Sequence, residues 1–469
     1  MIETDICVIG AGAAGLSVAA GAVQMGARVV LVEGAAMGGD CLNHGCVPSK
    51  SLLAAGKAAA ALRAGGPGVE GVVPVVDFAA AQAHVARVIA TIAPHDSQQR
   101  FEGLGVTVIR DWARFTGPAE IEAGGQRVRA RRFVIATGSR PFVPPVPGLE
   151  GVPYLTNETL FALTEAPGHL LIVGGGPIGL EMAQAHRRLG SKVTVIEAAR
   201  ALGREDPEAA ALVLARLRAE GIEIVEGAAV ERVGGRPGAI EVQVAGGTVF
   251  VGTHLLVAVG RVPVLERLDL AAAGVRTGKA GVLVDARLRS SNRRVYAIGD
   301  AAGQGQFTHL AGYHAGVVVR SLLFGLPSKA RSDHIPRVTF TAPELAQVGL
   351  TEAEARAKYG AAVQVLRLGY DASDRALAEG QAVGLVKVVV LRGRPLGATL
   401  AGPGAGEQIA LWSMMLANRM KLSALAGTVL PYPTMAELSK RAASAYFTPK
   451  LFDNPLIKRV VRAVQRWVP

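Results

Sequence analysis

Half of the 469 residues are apolar, enough for roughly two to four domains with sizeable cores, so a disordered or fibrous chain is excluded. Lys plus Arg number 50 against 38 Asp plus Glu, a net charge of +12, but no recognition motif or aromatic platform accompanies the excess and no nucleic-acid partner is expected. The three cysteines, a start at Met1-Ile2-Glu3-Thr4-Asp5 without a basic lead, and no apolar run of the roughly 18 residues that cross a bilayer point to a cytoplasmic protein.

Thr4 to Ile9 reads as a buried strand. Gly10-Ala11-Gly12-Ala13-Ala14-Gly15 follows, then an Ala-rich helix up to Gly26 and a second strand, Arg28 to Val32, ending in Glu33. A lone GxGxxG is a weak signal, but strand, glycines, helix, strand and terminal acid in one unit are a dinucleotide fingerprint. Gly10, Gly12 and Gly15 let the backbone approach a pyrophosphate, and Glu33 is placed to accept ribose hydroxyls. Cys7, inside the first strand, reads as core.

Gly39-Asp40-Cys41-Leu42-Asn43-His44-Gly45-Cys46-Val47-Pro48-Ser49-Lys50 holds the other two cysteines. Such a pair can close a small ring on the first turn of a helix, whose dipole favours a thiolate, and this predicts redox cycling. A zinc site would need two further N or S ligands at recognisable spacing, and no second pair exists, so no metal is expected.

Arg132 to Pro141 reads as a strand ending in a tight turn at Thr137 and Gly138, and the Pro-rich Pro144 to Gly148 as a boundary. The first pattern then repeats: Leu170 to Val173, the glycines Gly174, Gly176 and Gly179, a helix to Gly190, and Lys192 to Ile196 ending in Glu197. The interval from Gly174 to Glu197 equals that from Gly10 to Glu33, so a second dinucleotide is expected. An acid at Glu197 would repel a 2'-phosphate and favours NAD over NADP, although Arg200 and Arg204 stand nearby. Leu255 to Arg261, with Gly260, mirrors the Ile135 to Arg140 strand end. Val295 to Asp300 returns to the first unit, where Asp300 can cap a helix, reach a ribityl chain or phosphate, or do both. Beyond about Ile335, strand-like segments at Arg337 to Phe340, Val363 to Gly369 and Leu385 to Leu391 and helical ones at Gly406 to Arg419 and Met435 to Ala445 predict a separate α+β domain. There Thr434 is expected to cap the helix carrying Glu437.

With these motifs in order, the chain to about Phe447 resembles the class I pyridine nucleotide-disulfide oxidoreductases, which include dihydrolipoamide dehydrogenase, glutathione reductase and mercuric reductase. The resemblance implies an α/β homodimer with two Rossmann-like domains and an interface domain: FAD-binding 1–147, NAD(P)-binding 148–264, a return to the FAD domain over 265–334, and interface 335–447. It implies FAD on Gly10, Gly12, Gly15, Glu33, Thr137, Gly138 and Asp300, and NAD on Gly174, Gly176, Gly179, Glu197 and Gly260. By motif position Cys46 would be the thiolate against the flavin, Cys41 the interchange thiol, and Lys50 the partner of Glu181 near the flavin. Electrons would then run from NADH by way of FAD to a Cys41–Cys46 disulfide and on to a disulfide, metal-ion or quinone-like acceptor.

Lipoamide dehydrogenases and glutathione reductases carry a His-Pro-Thr turn whose His, with a later Glu, serves the partner subunit as acid-base. This chain has Tyr432 there and keeps Glu437, and no histidine follows His334. Tyrosine at this place resembles mercuric reductase, although the vicinal C-terminal cysteines of that enzyme are absent, since no cysteine follows Cys46. The alternatives are a dihydrolipoamide dehydrogenase acting on a lipoyl protein and a non-catalytic flavin-binding component of a membrane complex.

The last segment, 448–469, predicts a basic amphipathic helix. At about 100° per residue from Leu456, the apolar Ile457, Val460, Val461, Val464, Trp467 and Val468 fall within about 0° to 140° and Lys458, Arg459, Arg462 and Arg466 within about 200° to 300°. Residues 451–468 are expected either to lie peripherally on the inner face of the membrane or to dock on the protein's own dimer.

Overall fold

A computed structural model describes residues 1–468. By their contacts the residues form two compact units: Met1–Ala60, Pro74–Ala198 and Glu223–Arg331 make one, and Ala61–Val73, Ala199–Ile222 and Ser332 onward the other.

The first unit carries a larger mixed sheet, parallel at its centre with the antiparallel strands Glu120–Ala123 and Arg114–Gly117 at one edge, and a smaller parallel one. In the larger, Ile2–Ile9 lies between Val29–Val32 and Gln126–Ile135, parallel to both, with Cys7 opposite Val30 on one side and Phe133 on the other. Residues Ile6 to Ile9 are all buried, the run expected of a parallel strand covered on both faces rather than an alternating one. Val295–Ala297 joins this sheet beside Gln126–Ile135, so the chain does come back to where it began. The smaller sheet has Glu223–Val225, Lys192–Ile196, His169–Val173 and His254–Val257 in that order, all parallel.

Each sheet delivers its glycine turn at the carboxyl end of a central strand. Gly10 sits at φ +107° and Gly174 at φ +116°; a Cβ on the first would stand 2.3 Å from the Ala136 carbonyl and on the second 2.4 Å from that of Ala258. No other residue fits either turn. The helices that follow, Ala13–Gln24 and Pro177–Arg188, start from Gly12 and Gly176 with no side chain capping their first amides.

In the second unit a five-stranded antiparallel sheet runs in the order Arg337–Thr339, Glu344–Gly349, Arg394–Gly402, Leu385–Leu391, Gln364–Gly369. Trp412 on Ala405–Ala417 is fully buried in its core, and its indole N–H donates to Ser439 Oγ at 3.0 Å. The pairing satisfies the one polar atom of a large apolar side chain. Two of the strands, Glu344–Gly349 and Arg394–Gly402, are not apparent from sequence: Ala, Gly and Pro dilute their β-character, and central position in the sheet decides them.

Candidate active site

Cys41 lies in the one-turn helix Gly39–Asn43, and Cys46 is the first residue of the long helix Cys46–Ala64. Both are thiols here, Cys41 half-buried and Cys46 exposed. Cys46 is drawn down to about 6, first by the hydrogen bond from Cys41, then by Thr308 and the Lys50 charge, against burial and the nearby Asp40 carboxylate. Its Sγ lies 3.4 Å from Thr308 Oγ1. Cys41 is pushed far above the ordinary thiol range by the same hydrogen bond and by burial. The pair is therefore split, with a thiolate at the helix N-terminus and a thiol donating to it.

Lys50, one turn beyond Cys46, places Nζ 2.8 Å from Glu181 Oε2. Glu181 sits on Pro177–Arg188 with its side chain 6% exposed, too dry for an unpaired carboxylate. Small residues bring the two helices together: Gly56 faces Ala185 and Arg188 at contact distance.

The segment bearing Cys41 is clamped from outside its own sequence. Arg261, 11% exposed, donates to Asp40 Oδ1 at 2.9 Å, to Ser139 Oγ at 2.8 Å and to the Ser139 carbonyl at 2.7 Å. Asn157 Nδ2 donates to the same Asp40 oxygen at 3.0 Å and to the His44 carbonyl at 3.1 Å. Ser139 in turn donates to Asp300 Oδ2 at 2.5 Å, and burial raises that carboxyl despite Ser139 and the Arg261 charge. Asp300 does not cap a helix: the turn Gly299–Ala302 begins at Ile298. The Gly299 amide donates to Nδ1 of buried His314, which burial lowers to about 4 and so keeps neutral.

The two glycine cradles fit dinucleotides. At the first, the amides of Ala11 and Ala35 donate to the two oxygens of Glu33 at 2.5 and 2.7 Å, which fixes the carboxylate while a lone pair on each oxygen stays open for a ribose hydroxyl. Thr137 Oγ1 is buried without a hydrogen-bond partner beside the left-handed Gly138, an acceptor-donor kept for a ligand. At the second, Gly175 N donates to Glu197 Oε2 at 2.7 Å, repeating the first arrangement, and Gly260 takes φ +129° at the neighbouring strand end.

In the second unit exposed Tyr432 donates its hydroxyl to Asp374 Oδ2 at 2.6 Å, and that bond, with the carboxylate charge, raises the phenol above its usual range. Glu437 is the first residue of Glu437–Ala445 and half-buried. The expected Thr434 cap is absent: Thr434 donates to the Pro431 carbonyl at 2.9 Å, and the helix starts from Ala436 with no side-chain cap. A surface pocket of about 390 Å³ lies here, lined by Arg375, Glu379, Pro403, Gly404, Pro433, Thr434 and Met435.

Residues 4–315 match the family described as pyridine nucleotide-disulphide oxidoreductase, and residues 335–443 its dimerisation domain. The chain belongs to this family. A mercuric reductase of Streptomyces lividans is 37% identical over 455 residues, 94% of this chain and 96% of that protein. A dihydrolipoyl dehydrogenase of Thermus scotoductus is 38% identical over 462 residues, 94% and 97%. Among solved structures, a Cu(II) complex of the HOCl-induced flavoprotein disulfide reductase RclA from Escherichia coli is 30% identical with TM-score 0.85, covering 95% of this chain and all of that one. The protein is thus an oxidoreductase that uses FAD and NAD(P)H, reduces disulfide or metal substrates and forms a homodimer through its C-terminal domain. No described helix is long and apolar enough to cross a membrane.

Arg261, Asn157, Thr308, His314 and Asp374 carried no signal readable in the chain order. Each acts on a residue fifteen or more positions away in the chain. The only hint was that Arg261 ends the strand mirroring Ile135 to Arg140.

Proposed function

We propose that the protein is an NADH-dependent metal-ion reductase whose Cys41–Cys46 pair is the group that meets the acceptor. Bound FAD supplies two-electron transfer between the nicotinamide and the cysteine pair. The residues around it have separate tasks. Gly10, Gly12, Gly15, Glu33, Thr137, Gly138 and Asp300 hold the FAD, and Gly174, Gly176, Gly179, Glu197 and Gly260 hold the nicotinamide cofactor, with the Glu197 carboxylate discriminating against a 2'-phosphate. Lys50 and Glu181 fix the charge beside Cys46. Cys41 is the thiol that engages the acceptor, and as the thiol–thiolate pair closes to a disulfide it releases two electrons and one proton. Two Cu(II) ions accept those electrons as two Cu(I), and one Hg(II) accepts both.

The observation that carries the choice of acceptor is Tyr432 bound to Asp374. Reduction of a disulfide must protonate a leaving thiolate, and a phenol whose proton is held by a carboxylate is a poor donor and a poorer base. A metal ion needs no such proton. Tyr432 and Glu437 are then a binding edge rather than an acid-base dyad. The Cu(II) complex of RclA and the mercuric reductases among the relatives support this reading.

Steady-state NADH oxidation with Cu(II), Hg(II), lipoamide, glutathione disulfide and a quinone tests it. Metal ions should exceed lipoamide by about 10² or more in kcat/KM, the worth of missing acid-base help; lipoamide as the best acceptor would make the protein a lipoamide dehydrogenase instead. We further propose that the homodimer works in the cytoplasm and touches the inner face of the membrane peripherally through residues 451–468, a reading supported by the separated apolar and basic faces of that segment.

A further inference from the structure

The end of the chain forms a helix of its own. Asn454 caps Pro455–Trp467 by accepting from the amides of Leu456 at 2.9 Å and Ile457 at 3.4 Å, and Pro455 occupies the first turn. No residue of this helix is buried. Within one protomer nothing covers its apolar strip, with Leu456 65%, Val460 61%, Val464 44% and Trp467 77% exposed, and Leu451 and Phe452 of the preceding turn are exposed beside it in sequence. An isolated 13-residue helix that leaves such a strip in water has no reason to persist unless something covers the strip.

Charge decides what covers it. The opposite face holds Lys458, Arg459, Arg462 and Arg466, and no acid follows Asp453. The same helix of a second copy would bring four more cations and no acid to the contact. An anionic lipid surface would attract them while its acyl region accepts Leu456, Val460, Val464 and Trp467, with the Trp at headgroup depth.

We infer that Pro455–Trp467 is an interfacial helix that recognises anionic phospholipid, lying flat with its apolar strip inward and its four cations toward the headgroups. This rests on the peripheral placement proposed above and adds the lipid chemistry to it. None of its residues is among those assigned to the cofactors or the cysteine pair, so the tail can be varied without altering them.

The test is co-sedimentation of the full-length FAD-loaded dimer with vesicles of phosphatidylcholine alone or mixed with phosphatidylglycerol, at low and high salt. Trp467 emission is isolated by difference against Trp467→Phe. Binding only to the phosphatidylglycerol mixture, released by salt, with a blue shift of Trp467, is expected. Lys458→Gln/Arg462→Gln should weaken it about 25-fold, near five-fold per cation, with NADH oxidation unchanged. Equal binding to both vesicle types would overturn the anionic recognition and leave peripheral placement standing. Binding to neither would overturn both. Blue-shifted Trp467 without vesicles, together with loss of the dimer in Leu456→Asp/Val460→Asp, would show that a second copy covers the strip and would also overturn the inference.

Discussion

At Cys46 a hydrogen bond from Cys41, a hydroxyl from Thr308 and the Lys50 charge outweigh burial, and the thiol loses its proton near pH 6 rather than in the ordinary thiol range. Because the folded value is depressed, the thiolate is present above about pH 6 and lost below it. Alkylation of the reduced enzyme by iodoacetamide should therefore rise through a midpoint near pH 6 and modify Cys46 first; a midpoint at pH 8 to 9, the free-cysteine range, would contradict the split. Lys50→Met should move that midpoint upward and leave Glu181 without its 2.8 Å partner. In the loaded enzyme the long-wavelength absorbance of a thiolate against the flavin should vanish in Cys46→Ser. The cysteine spacing and Lys50 could be read from the chain. Thr308, far along it and set beside Cys46 only by folding, could not.

Among the elements, the strand Leu385–Leu391 buries a charge in the middle of an apolar run. Lys387, 3% exposed, lies 2.8 Å from each of Asp206, Glu208 and Glu352, and Arg367 bonds Glu208 at 2.9 Å and Glu352 at 2.6 Å. Burial works against the ammonium, but the three carboxylates more than offset it and hold its pKa raised. Glu208, bonded by Arg367 and then Lys387, falls to about 2. Its stabilising share is complete above the ordinary 4.5 and disappears as pH drops from there through about 2, so acid unfolding monitored by circular dichroism should begin in that window. Lys387→Met, which strands the 1%-exposed Asp206 side chain, should cost about 3–5 kcal/mol in a denaturant titration, whereas Arg367→Met at the exposed rim should cost under about 1 kcal/mol. The sequence shows Leu385 to Leu391 as a strand from its β-branched run, yet it gives no sign that Lys387 points inward. Its partners are Asp206, which caps Pro207–Ala219, Glu208 on that helix, and Glu352 at the start of Glu352–Tyr359, all remote in the chain. Strands with strong β-character and glycine turns were legible; the paired strands rich in Ala and Gly, and the Thr434 turn, were settled by packing and by a local bond to Pro431.

For the molecule as a whole, the repeated fingerprint was enough to indicate two nucleotide units, because each motif couples a glycine turn to two strands and a terminal acid, while the change of pattern beyond about Ile335 marked a separate α+β domain. What it left open was the acceptor chemistry, since Tyr432, bonded to Asp374, precedes Pro433-Thr434 where the lipoamide dehydrogenase pattern has a histidine. Tyr432→His should restore an acid-base pair with Glu437 and raise lipoamide or glutathione-disulfide turnover by about 10²-fold or more, with a new pH dependence near the imidazole range and little change with Cu(II); no gain would mean that more than this residue separates the two activities. Cys7 has a different consequence at this scale. Sealed at 0% exposure between Val30 and Phe133, its sulfur driven far above the normal range, it cannot meet a reagent while the parallel sheet is closed. With Cys41 and Cys46 already blocked, any label that reaches this third thiol counts a moment when the nucleotide sheet has opened, so its rate of modification is a built-in clock for whole-domain unfolding under conditions where the enzyme is otherwise native.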